Sequence, residues 1–212
     1  MSESGSNPTW VIKGPFRASG QVQSVSVSVD GSRILIGDSG VALHDRDGRE
    51  LWSQPTRGCA TSVWIAEDAS LAVAATDGHM LEAFDIAGQV LWKRNMLDWS
   101  NGGAWSMPGP RSRVTGLPDG SLIIAGFWGG VAGYDNAGTV QWDFQAPGRR
   151  AWPFARGLLI DLACSADGSL IGAAFGRDLY AFDRQGRLLW SRGMRRSYSR
   201  RRMRIEGLPP GW

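Results

Sequence analysis

A short unit recurs four times in this chain, and that repeat restricts the fold more than any other feature. The copies are DGSRILIGDSGVALHDRDGRELW (30–52), DASLAVAATDGHMLEAFDIAGQVLW (68–92), DGSLIIAGFWGGVAGYDNAGTVQW (119–142) and DGSLIGAAFGRDLYAFDRQGRLLW (167–190). Each opens on an Asp (Asp30, Asp68, Asp119, Asp167), and a second Asp follows 15, 17, 16 and 16 residues later (Asp45, Asp85, Asp135, Asp183). Three residues on comes a Gly (Gly48, Gly88, Gly138, Gly186), and four beyond that a Trp (Trp52, Trp92, Trp142, Trp190). A D-x-x-G-x-x-x-W spacing held without exception marks an internal repeat.

Each position has a physical reading. Asp-Gly after an apolar run is a tight-turn signal, because Gly takes positive φ at no steric cost. RILIG, LAVAA, LIIAG and LIGAA are too short for helices and read as buried strands. A Gly- or Asp-bearing turn follows (DSG, TDG, WGG, GRD), then a third strand such as LEAFD or LYAFD. The D-x-x-G turn leads into a fourth strand that is expected to end on Trp. A further strand precedes each opening Asp, clearest in QVQSVSVSV (21–29). The unit is therefore a four-stranded antiparallel meander. The Trp-to-Trp spacings of 40, 50 and 48 residues match propeller blades, which repeat at roughly 40–50 residues. The recurring Trp is expected to pack between blades. A β-sandwich would not explain it.

The phrases HDRDGRELW (44–52), FDIAGQVLW (84–92), YDNAGTVQW (134–142) and FDRQGRLLW (182–190) resemble PQQ-like propeller repeats. These occur in quinoprotein dehydrogenases and in non-enzymatic relatives such as the BamB-type assembly lipoproteins. The resemblance covers roughly 20–191. WD40 repeats match less well, because the GH…WD pair is absent. The expected fold is all-β: a small propeller of about four four-stranded antiparallel blades, at about 20–54, 59–94, 112–144 and 158–191. Residues 1–19 form an N-terminal segment, in which PTWVIKG (8–14) with Trp10 reads as a closing strand. Residues 192–212 form an Arg-rich tail. A fifth blade would need three more strands, about 27–30 residues, and 21 follow position 191. Three arrangements stay open: a compact four-bladed ring, a shortened propeller, and a homodimer in which two chains complete an eight-bladed ring, since exposed sheet edges invite pairing.

Composition sets the class and little else. Gly (29 of 212) and Trp (11) are high. Gly argues against a helix bundle, and 42% hydrophobic residues with 20% charged argue against a disordered chain. No run of 18 apolar residues predicts a membrane span, and MSESGSNPTW does not read as a secretory start. A cytoplasmic location is expected. The tail SRGMRRSYSRRRMR (191–204) holds seven Arg and no acid. Taking those seven from 23 basic residues leaves 16 against 20 acidic ones, so the repeats are slightly acidic and the +3 belongs to the tail. That tail reads as a nucleic-acid or anionic-surface arm with Tyr198 to stack, or as a solubilising end.

Candidate sites are few. Cys59 and Cys164 read as small buried thiols, with no Cys or His at metal-ligand spacing. His44 stands where the other repeats have Phe84, Tyr134 and Phe182, a packing position. His79, in TDGHM, is expected to be exposed. No Ser-His-Asp or Cys-His set is arguable. The repeat carboxylates are expected to accept backbone N–H bonds in their own turns. D-x-D-G at Asp45–Gly48 lacks the later ligands of a calcium loop. GFWGG (126–130) reads as a hairpin, because phosphate binding needs a helix N-terminus. The two longest connections, DWSNGGAWSMPGPRSR (98–113) and QAPGRRAWPFARG (145–157), carry Trp99, Trp105, Met107, Arg149, Arg150, Trp152 and Phe154. Both join an outer strand to the next inner strand, so they should share one face. Aromatics and Arg are enriched in binding hot spots.

The sequence therefore favours a non-enzymatic interaction or scaffold module with an unknown protein partner, no catalytic residues, and no cofactor or metal. A small-ligand or carbohydrate-binding propeller is the alternative that the Trp-rich loops suggest. A remnant of a quinone-dependent dehydrogenase is the second. The resemblance would then imply a channel-bound quinone, a calcium ion and an Asp base, none of which can be assigned to residues here.

Overall fold

The computed structural model describes residues 21–96, 98, 112–127, 130–146 and 159–193, and every regular element among them is a strand. Blade 1 is β1 (Ser24–Val27), β2 (Arg33–Gly37), β3 (Gly40–Asp45) and β4 (Glu50–Pro55). Blade 2 is β5 (Ala60–Ile65), β6 (Ala72–Thr76), β7 (Met80–Phe84) and β8 (Val90–Asn95). Blade 3 is β9 (Arg113–Gly116), β10 (Ile123–Phe127), β11 (Gly130–Tyr134) and β12 (Val140–Gln145). Blade 4 is β13 (Leu159–Cys164), β14 (Ile171–Phe175), β15 (Asp178–Phe182) and β16 (Leu188–Gly193). Each blade is an antiparallel meander in chain order. The repeating Trp does not end its strand as expected. It is the third residue of β4, β8, β12 and β16, and the strand runs three residues beyond it.

The blades stack face to face, with β1 beside β5, β5 beside β9, and β9 beside β13. Three apolar layers fill the gaps. Leu35, Val41 and Leu43 of blade 1 meet Val63, Ala72, Ala74 and Phe84 of blade 2. Val73, Leu81 and Trp92 of blade 2 meet Val114, Ile123 and Tyr134 of blade 3. Ile124, Val131 and Trp142 of blade 3 meet Ile171, Phe175 and Phe182 of blade 4. Alternation along each strand sends one set of side chains to the preceding blade and the other to the next. Strands in the middle of the stack are therefore apolar on both sides: β6, β10 and β11 are buried along their whole length. That is why LAVAA and LIIAG show no polar alternation.

Neighbouring innermost strands are tied by side chains. Ser24 and Ser26 accept hydrogen bonds from the N–H groups of Val63 and Ile65 at 3.1 and 3.2 Å. Ser62 accepts one from Val114 N at 3.1 Å. On the last gap, Arg113 Nε donates to Ile160 O at 3.1 Å, and the Cys164 thiol donates to Gly116 O at 3.0 Å. The SVSVSV run thus puts its serines toward blade 2.

The D-x-x-G-x-x-x-W repeat is one joint split between two blades. The indole N–H of Trp52 donates to Ile86 O at 2.9 Å, that of Trp92 to Asn136 O at 2.8 Å, and that of Trp142 to Arg184 O at 3.1 Å. Each acceptor is the residue after the second Asp of the next blade. The indole lies against the Gly of that same turn. A Cβ at Gly88 or Gly138 would fall 2.7 or 2.6 Å from ring atoms of Trp52 or Trp92, and one at Gly186 would overlap Trp142. These glycines also have φ of +80°, +74° and +75°, which a side chain resists. Gly is thus required twice, for the turn and for the neighbour's ring. Trp52 and Trp142 also lie beside Phe84 and Phe182, at centroid distances of 5.7 and 6.1 Å.

Trp92→Ala is expected to lower unfolding free energy by about 3–5 kcal/mol, since it empties a buried aromatic site. Gly138→Ala should cost about 2–4 kcal/mol, from positive-φ strain and overlap with the ring. Because both act on one joint, the double variant should cost no more than about 1 kcal/mol beyond Trp92→Ala alone. Urea unfolding of the four proteins measures this cycle.

Candidate interaction surfaces

The repeat carboxylates are consumed by their own turns. Asp45 Oδ1 accepts the N–H groups of Asp47 and Arg49, both at 2.9 Å, and Asp85, Asp135 and Asp183 repeat this pair of bonds. The opening aspartates accept from the residue two positions on: Ser32, Ser70, Ser121 and Ser169. Hydrogen bonds to a carboxylate favour its charged form. The Ser28 hydroxyl, with the Ser32 N–H, holds Asp30 at about 2. The Ser165 hydroxyl, with the Ser169 N–H, does the same for Asp167. Asp68 and Asp119 are lowered by Ser70 and Ser121. In blade 2 the residue after the opening Asp is Ala69, not Gly, and it still adopts φ +57°.

The most buried acid among the described residues is also structural. Glu82 has a fully buried side chain, meets Lys93 Nζ at 2.6 Å and accepts the N–H of Arg57 at 3.0 Å. It fastens the link from β4 to β5. His44 is buried, as a packing position should be, and burial lowers its pKa. His79 corrects the expectation of exposure: it is buried, with its ring 4.9 Å from that of Phe127, and desolvation lowers its pKa. Its φ of +61° turns the side chain inward at a tight β6–β7 hairpin. Cys59 corrects the expectation of a buried thiol. It is exposed, ahead of β5, while Cys164 is half-buried, and both are free. Burial pushes the Cys164 thiol up, which makes it a poor nucleophile.

No three His, Cys, Asp or Glu side chains converge as a metal site among the described residues. The calcium and quinone of the dehydrogenase alternative would need clustered acidic and amide side chains. The described carboxylates at the repeat positions do not fit that role, being committed to turns. A groove lined by Ser70, Leu71, Leu91, Asp119, Gly120 and Asn136 holds about 170 Å³, below the roughly 300 Å³ of a small-ligand pocket. No described helix is long and apolar enough to cross a membrane.

Trp99, Trp105, Met107, Arg149, Arg150, Trp152 and Phe154 lie outside the described residues, as do Trp10 and the tail from 194 onward. The anchors of the two long connections are described. Met96 and Ser112 flank the first and Ala146 and Leu159 the second, and all four are buried. Met96 N donates to His79 O at 2.8 Å, and the Ser112 hydroxyl donates to Thr76 O at 2.8 Å. Both connections leave an outer strand (β8, β12) and enter an innermost one (β9, β13). The strand directions therefore put the described ends of both connections on one side, opposite the Asp turns.

The stack also has two outer faces, which sequence reasoning did not single out. Val25, Val63, Val114 and Leu162 are equivalent, each five residues before an opening Asp. Val63 is 5% exposed, but Val25 is 60% and Val27 54% exposed. At the other end Trp190 is 46% exposed, against 8% for Trp92. Equivalence by repeat position was the signal available for finding these residues.

The comparisons agree with this architecture. No family model and no curated protein matches the sequence. Among solved structures, BamB from Moraxella catarrhalis is similar, with a TM-score of 0.63 at 16% identity over 83% of this chain. The fold is a β-propeller fold. The chain spans about half the length of that BamB, 51%.

The pH dependence of stability follows from the opening Asp turns. Asp30 and Asp167 are held at about 2 against an ordinary 3.8. Lowered carboxylates stabilise the fold above the ordinary value, and that contribution is lost as pH falls through the folded one. The contribution of these turns should be flat above about pH 5 and fall between about pH 4 and 2, while His44 and His79, held by burial below the ordinary 6.5, add an earlier loss that begins as pH falls through about 6.5. Urea midpoints should show a shallower fall for the Asp30→Asn/Asp167→Asn variant.

Proposed function

We propose that this chain is a non-enzymatic propeller of PQQ-like repeats that works as a protein-interaction module, with connections 98–113 and 145–157 as its recognition face. One observation carries the reading most. The described carboxylates of the repeat are spent on turns, while the two longest connections leave buried anchors on the opposite side. A rigid scaffold that displays variable loops is a common basis for recognition. The aromatic and Arg content of those loops suits a protein partner. The PQQ-like assignment itself rests on the four repeat phrases together with the propeller fold.

Trp105→Ala and Trp152→Ala are expected to keep the wild-type thermal melt and circular dichroism and to lose partner binding, by tenfold or more for a hot-spot aromatic. Quantitative affinity capture against wild type reads the loss, with Asp47→Ala on the opposite face as the binding-competent control. If both variants unfold, the loops are lids of the core and the proposal fails. Glycan-array binding that both substitutions abolish would instead establish the carbohydrate-binding reading. Nucleic-acid binding with a steep salt dependence, lost on deleting 192–212, would establish the tail as the binding element.

A further inference from the structure

Three junctions in this chain are built alike, and its two outer faces carry the halves of a fourth. In each junction the forward face of one blade brings small or aliphatic side chains and a Trp. The rear face of the next brings aliphatic side chains, an aromatic ring (Phe84, Tyr134 or Phe182, where blade 1 has His44) and a D-x-x-G turn. On blade 4 the positions equivalent to Val73, Ala75, Leu81, Ala83 and Trp92 are Gly172, Ala174, Leu179, Ala181 and Trp190. A Cβ at Gly172 would meet nothing closer than 4.0 Å, so this face has room for a neighbour. On blade 1 the positions equivalent to the buried Val63 and Ile65 are the exposed Val25 and Val27, while Ile36 and His44 on the same face are already buried within one chain. Its turn Asp45–Gly48 has the same form as the others, with Gly48 at φ +81°.

The polar contacts of the existing junctions are also encoded at these two faces. Two residues after Trp92, Arg94 Nε donates to Gly138 O at 2.7 Å and Nη2 to Ala137 O at 3.2 Å. Two residues after Trp190 stands Arg192, for which the equivalent acceptors are Gly48 O and Asp47 O. Across the third junction, Arg184 Nη2 donates to the Ser121 hydroxyl at 2.7 Å. The equivalent pair at a fourth would be Arg46, one residue after Asp45, and Ser169, two residues after Asp167.

We propose that blade 4 of one copy docks on blade 1 of a second copy, so that two chains close one ring of eight blades through two identical junctions. In each, the Trp190 indole seats on Gly48 and donates to Arg46 O, Arg192 grips the same turn, and Arg46 reaches Ser169. Head-to-tail contacts form a closed ring when the rotation divides the circle. The span of 51% of the similar BamB chain makes four blades about half of a propeller of that size. The competing occupant of the Gly48 seat is Trp10 of the same chain. It carries Ile12, not Arg, two residues on.

Light scattering of the full chain tests this, with the expected mass twice the 23.0 kDa of one chain. Trp190→Ala and Gly48→Ala should each weaken the dimer about a hundredfold or more, since each damages both junctions. Circular dichroism of the dilute variants should show folded blades. Mixing the two variants should restore dimers, because Trp190 of the Gly48→Ala chain meets Gly48 of the Trp190→Ala chain at one intact junction. A monomer at about 100 µM, far above a micromolar Kd, would overturn the proposal. So would a dimer indifferent to both substitutions and to their mixture, or open assemblies that grow with concentration. A monomer that dimerises only after residues 1–14 are deleted would give the Gly48 seat to Trp10, and would overturn it equally.

Discussion

The contact between a Trp of one blade and the D-x-x-G turn of the next organises this molecule. A single four-stranded blade cannot bury its own apolar faces. Its two faces must both be covered, and the indole sets how. Its ring requires a Gly beneath it and its N–H requires a carbonyl one residue past the Asp. That Asp is in turn fixed by two backbone N–H groups. Turn geometry, register and blade spacing are therefore set by one local motif. A register shift recurs just ahead of the second Asp in every blade, at Leu43/His44, Ala83/Phe84, Gly133/Tyr134 and Ala181/Phe182.

The innermost strands are held differently. They belong to separate sheets and share no ladder, so side chains bridge the gap. Ser24, Ser26 and Ser62 supply acceptors to the next strand's N–H groups, and Cys164 and Arg113 supply donors. Buried backbone groups are seldom left unpaired, and short hydroxyl side chains satisfy them without separating the blades. The serines of β1 thus face the protein while its valines face outward.

The repeat made the blades legible from sequence, because an invariant D-x-x-G-x-x-x-W has few physical causes. The strand and turn readings of RILIG, LIIAG and the Asp turns follow from local chemistry and agree with the structure. Other features depended on tertiary context. The turn TDGHM predicts an exposed His79, and its burial against Phe127 comes from a different blade. Cys59 was read as a small apolar residue, and it lies on the exposed link ahead of β5. The continuation of the strands beyond Trp was hidden because Ser53, Lys93 and Asp143 look like loop residues and are in fact the exposed sides of outer strands. The loop residues singled out for binding, from Trp99 to Phe154, lie outside the described residues. The outer faces were legible all along, as equivalences between Val25 and Val63 or Trp190 and Trp92.

The joint itself can be observed indole by indole. Hydrogen exchange of assigned tryptophan indole N–H groups by NMR distinguishes a seated Trp from an unseated one. In dilute single chains, Trp52, Trp92 and Trp142 should exchange far more slowly than Trp190, since each of the three has a carbonyl partner in the next blade. Equal exchange at all four positions, or protection of Trp190 alone, would contradict a fold propagated by Trp seated on the neighbouring turn.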